Sequence, residues 1–81
     1  MSGMQFLVRI KTIEDALELS TIACKYENSK IRIGQGVWMV DAESIMGIFS
    51  LDLTKPLILD VLTESKDTCA QIYNDIQKYI I

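Results

Sequence analysis

Val37-Trp38-Met39-Val40-Asp41-Ala42-Glu43-Ser44-Ile45-Met46-Gly47-Ile48-Phe49-Ser50-Leu51 changes period in its middle, and that change decides the fold. Val37 to Val40 reads as a short strand. From Ala42 to Leu51 the apolar residues keep no strand alternation, and the stretch is too short for a long helix. A short helix capped near its start fits, with Ser44 placed to accept the first free backbone N–H groups. Just upstream, Lys30-Ile31-Arg32-Ile33 alternates as a second strand. Gly34-Gln35-Gly36 between the two strands supplies residues free to take positive φ, which predicts a hairpin.

Toward the N-terminus, Met4 to Ile10 alternates as a strand with Phe6, Val8 and Ile10 on one face. Ala16, Leu19, Ala23 and Tyr26 then recur at helical spacing over residues 12–26, with Thr12 as N-cap and Glu14 and Asp15 in the positively polarised first turn. Glu27-Asn28-Ser29 closes that helix. Downstream, Pro56 can open a strand that runs from Leu57 to Thr63. Ser65 caps a last helix whose stripe is Cys69, Ile72, Tyr73, Ile76 and Ile80.

The predicted order is β-α-β-β-α-β-α. In 81 residues these elements have room for two layers only. The expectation is one α/β (α+β) domain over residues 1–81, an open-faced β-sandwich with a four-stranded antiparallel sheet covered on one face by three helices.

Composition narrows function. The chain contains no histidine, which excludes a Ser-His-Asp triad, a Cys-His pair, a His-ligated metal and a phosphohistidine on its own residues. A net charge of −3 and a pI near 4.7 argue against broad nucleic-acid binding, which needs clustered cations. Cys24 and Cys69 lie far apart without a CxxC spacing and are expected to be reduced, partly buried thiols. No basic segment precedes an apolar run at the N-terminus, and no apolar stretch approaches the roughly 20 residues of a membrane span. A cytoplasmic protein without membrane insertion is expected.

The stretch from Val37 to Leu51 resembles HPr, the histidine-containing phosphocarrier family of the bacterial sugar phosphotransferase system. Ser44-Ile45-Met46-Gly47 and Ser50-Leu51 match that family's motif as they stand, and Glu43 departs where the family usually carries Lys. The length and element order resemble it as well. The resemblance implies the family's fold but not its chemistry. The family's working motif, roughly G-[IL]-H-A-R-P-A, aligns with Ile10-Lys11-Thr12-Ile13-Glu14-Asp15-Ala16. Thr12 takes the position of the phosphoacceptor His, Glu14 that of the Arg and Asp15 that of the Pro. A phosphothreonine ester is too stable to pass its group on, and two carboxylates stand where a phosphate needs cations.

Two further positions stand out. The resemblance makes Ser44 a candidate for regulatory phosphorylation at the start of the short helix, against plain N-capping. It also implies a protein-docking surface on which Ile45, Met46 and Phe49 point outward, bordered by Leu17 and Thr21 of the first helix; the competing role is core filling. Ile48 and Leu51 are assigned to the core. Trp38 is expected to pack, since it lacks the polar or basic neighbours of a ligand-stacking residue. Glu14, Asp15 and Glu18 are explained by the helix N-terminus without a metal or catalytic role.

The leading expectation is a non-enzymatic, HPr-like interaction or regulatory module with no cofactor and no metal, whose partners are proteins. The alternative is a phosphotransferase-system carrier or regulator that uses Ser44 or Thr12 as phosphoacceptor. A small enzyme built on Cys24 is a third class.

Overall fold

The computed structural model describes residues 2–81. Strands β1 (Ser2–Val8), β2 (Ser29–Gln35), β3 (Trp38–Asp41) and β4 (Leu57–Thr63) form one sheet in the order β1-β4-β2-β3, with every neighbouring pair antiparallel. Helices α1 (Ile13–Lys25), α2 (Ile45–Phe49) and α3 (Lys66–Ile76) cover one face. A 3₁₀ turn, Gln77–Tyr79, continues α3.

Alternation along the strands sorts side chains between the two faces. Phe6, Leu59, Ile33 and Val40 are successive register partners across all four strands, forming a single apolar row beneath the helices. Val8, Leu57, Ile31 and Val61 extend it, all nearly inaccessible to solvent. Ala16, Leu19, Ile22 and Ala23 of α1 and Cys69, Ile72 and Ile76 of α3 close this core from above. On the opposite face the row Gln5, Asp60, Arg32 and Asp41 is polar, with Arg32 and Asp60 paired at 3.6 Å.

The antiparallel open-faced architecture is the one expected, and the boundaries differ in instructive places. β2 runs on through Gly34 and Gln35, so the hairpin turn is Gly36-Val37. Gly36 takes φ +58°, the positive value that the first central position of a tight hairpin turn favours. Gly34 instead lies in the ladder opposite Met39, and a Cβ on it would stand 2.0 Å from the Trp38 carbonyl oxygen. Trp38 does not pack as expected. It is 62% exposed, because it opens the four-residue edge strand β3 beside the turn, with few elements around it to bury a large ring. Cys24 is exposed rather than partly buried, while Cys69 is buried.

β1 ends at Val8, short of Ile10, and the chain's last residues pair with its free side. Arg9 N–H donates to the Tyr79 carbonyl and Ile81 N–H to the Leu7 carbonyl, each at 2.9 Å. Ile10 stays fully buried although it lies outside the ladder. No helix is long and apolar enough to cross a membrane among the described residues.

Candidate functional site

The N-terminus of α1 is closed on itself. Thr12, in extended backbone, accepts a hydrogen bond from Asp15 N–H at 3.1 Å. The Asp15 carboxylate in return accepts from Thr12 N–H at 3.3 Å and from Lys11 N–H at 3.1 Å. This is a capping box with Asp in the position that Glu or Gln more often holds. One orphan N–H of the first turn, that of Asp15, is thereby satisfied by the Thr12 hydroxyl, and the Asp15 carboxylate stands as a resident negative charge at the positive dipole end. The hydroxyl of Thr12 serves as the other half of the cap.

α2 is held against α1 through its own N-terminal segment. Ser44 is the N-cap, accepting from Gly47 N–H at 3.1 Å, and the preceding carbonyl of Glu43 accepts from Ser20 Oγ of α1 at 3.0 Å. Gly47 gives the helix its close approach to the sheet, since a Cβ there would meet Val40 Cβ at 3.3 Å. Ile48 and Leu51 turn inward and are buried. Ile45 is half-buried and packs against the core, which leaves it little part in any outward surface.

Met46 and Phe49, three residues apart and hence on one side of the helix, are 76% and 42% exposed. On α1, Ile13 is 64% and Leu17 49% exposed, and Thr21 is exposed as well. Ile13 and Leu17 precede Ser20 by seven and three residues, so they lie on the side of α1 that Ser20 turns toward α2. The two helices together present Ile13, Leu17, Met46 and Phe49 outward around the α1 N-terminus. Ile13 was missed in the sequence. Its signal is the i, i+4 spacing to Leu17, which sets both off the core stripe of Ala16, Leu19 and Ala23.

Polar groups elsewhere are engaged in holding helices together. Asp75 of α3 meets Lys25 at 2.8 Å and accepts a hydrogen bond from the Tyr26 hydroxyl. The Lys25 ammonium and the Tyr26 hydroxyl hold the Asp75 carboxyl below the ordinary carboxylate range. Glu18 pairs with Lys78 at 2.5 Å, and that contact lowers its pKa. Burial, with Glu18 nearby, raises the Tyr79 phenol. No group of three His, Cys, Asp or Glu side chains suited to a metal exists among the described residues.

No protein-family model matches the chain, and no curated protein matches it. Solved structures do. One is described as the crystal structure of HPr-C-His from Thermoanaerobacter tengcongensis, with a TM-score of 0.69 and 24% identity over 99% of this chain and 91% of that one. The likeness establishes an HPr-like fold.

Proposed function

We propose that this chain is a non-catalytic protein-interaction or regulatory module of HPr-like fold, one that does not pass phosphoryl groups. HPr-like proteins act by contacting other proteins, and the exposure of Met46, Phe49, Leu17 and Ile13 on two packed helices is the observation that carries the reading. Apolar side chains of this size gain folding free energy by burial, and Ile48 and Leu51 of the same segment take that course. A cluster left outside is suited to a partner.

Two features speak against carrier chemistry. The chain has no histidine, and the residue in the resemblance's acceptor position, Thr12, spends its hydroxyl in the capping box with Asp15. A phosphoryl group on Thr12 would meet the Asp15 and Glu14 carboxylates at once, a repulsive arrangement. Ser44 keeps an exposed hydroxyl, engaged as the cap of α2.

The test is incubation with phosphoenolpyruvate and the general phosphotransferase enzyme, followed by intact-mass measurement. The mass should stay unchanged. A stoichiometric gain of one phosphoryl group, mapped to Thr12 or Ser44, would replace this reading with that of a phosphoacceptor.

A further inference from the structure

Charge is distributed unevenly around the α1/α2 surface. Residues 12–24 and 33–54, which include α2 and α1 up to Cys24, hold the carboxylates Glu14, Asp15, Glu18, Asp41, Glu43 and Asp52 and no Lys or Arg, and the exposed Lys11 stands just before the α1 cap. Asp15 is committed to the α1 cap, Glu18 to Lys78, and Asp52 to Thr54 and Lys55. Asp41 accepts from the Glu43 backbone N–H. Glu14 and Glu43 are exposed, and neither has a side-chain partner among the described residues. Glu14 lies one helical turn from Leu17. Glu43 immediately precedes the α2 cap and is joined through its carbonyl to α1.

From this complementarity we infer that the partner of the α1/α2 surface is a protein segment with an apolar centre ringed by Lys or Arg. The inference rests on the docking reading proposed above and adds the sign of the partner's charge. Ile13, Leu17, Met46 and Phe49 supply the desolvated centre, and Glu14 and Glu43 form an unpaired acidic rim. Such a rim attracts cations during encounter and repels acidic segments. The sequence resemblance alone implies the opposite sign, because both positions depart there from basic residues.

The probes are two amphipathic 18-residue peptides of identical pattern, one of Leu and Lys, the other of Leu and Glu. Binding is read from backbone amide shifts of the whole chain. The Leu/Lys peptide should bind at α1 and α2 at least about tenfold more tightly than the Leu/Glu peptide, with affinity falling as salt rises. Glu14→Lys with Glu43→Lys should weaken it about tenfold. Glu27→Lys with Glu64→Lys, which changes net charge equally at the far end of α1, should weaken it less than about threefold.

Equal losses in the two charge-reversed pairs, or equal affinity for both peptides, overturn the inference; the docking reading then survives if Met46→Ala with Phe49→Ala still weakens binding. Indifference of both peptides to Met46→Ala with Phe49→Ala, or binding by neither, sinks the docking reading and the inference with it.

Discussion

α2 gives its apolar residues two different fates within five positions. Ile48 is inaccessible beneath the helix, while Met46 and Phe49 on its other side stand 76% and 42% in solvent. Composition does not separate these residues; the direction in which each points does. The inner side completes the row that crosses the sheet through Phe6, Leu59, Ile33 and Val40. The outer side continues onto Ile13 and Leu17 of α1, which are 64% and 49% exposed. Burial inside the row specifies the fold. Met46, the most exposed of these four, is expected to contribute little to stability, which is what the proposed recognition role requires of it.

The two sides of α2 should respond differently to substitution. Ile48→Ala should cost about 2 to 5 kcal/mol in denaturant unfolding, since it removes a fully buried side chain from a packed core. A cost below about 1 kcal/mol would erase the distinction between the two sides. Gly34→Ala should cost about 1 to 3 kcal/mol, because the added Cβ must push the β3 backbone away from its register with β2. An unchanged midpoint would mean that the hairpin end, and Trp38 with it, sits more loosely than the ladder requires.

At the boundary between the regions, Thr12→Ala should lower stability by about 1 kcal/mol through loss of the α1 cap. The same variant should leave peptide binding at Met46 and Phe49 intact. Loss of both would merge the cap with the docking surface.

Asp75 offers a pH-dependent comparison on the side of α1 turned to α3. Its carboxyl is held below the ordinary range by Lys25 and Tyr26, so its contribution is present above the unfolded carboxylate value, about 3.9, and fades as pH falls through the lower folded value. Asp75→Asn should therefore be less stable than the parent at neutral pH, and the two should converge in acid. A gap that stays constant down to about pH 2 would rule out this linkage. The smallest effect is expected for Met46→Ala, within about ±0.5 kcal/mol, because the side chain is already in solvent. A cost matching that of Ile48→Ala would move Met46 into the core.

Local chemistry written in the chain determined most of the architecture. The two-residue alternation of Leu57 to Thr63, the helical spacing of Ala16, Leu19 and Ala23, and the caps at Thr12, Ser44 and Ser65 each act over a few residues. Such signals need no knowledge of what lies across the fold, and so the element order and the inward fate of Ile48 and Leu51 were legible. The site was legible only in part. The outward placement of Met46 and Phe49 was implied by the family resemblance and not by periodicity, and Ile13 joined them only once α1 packed beside α2 through Ser20 and Glu43. Trp38 carries every sequence sign of a packing residue, and only its place at the start of an edge strand leaves it in water. The exposed acidic rim also required tertiary structure, because Glu14 and Glu43 are 29 positions apart in sequence and border one surface only where two helices meet. Periodicity and capping are short-range and survive in the sequence, whereas exposure and charge clustering are sums over neighbours that long-range packing supplies.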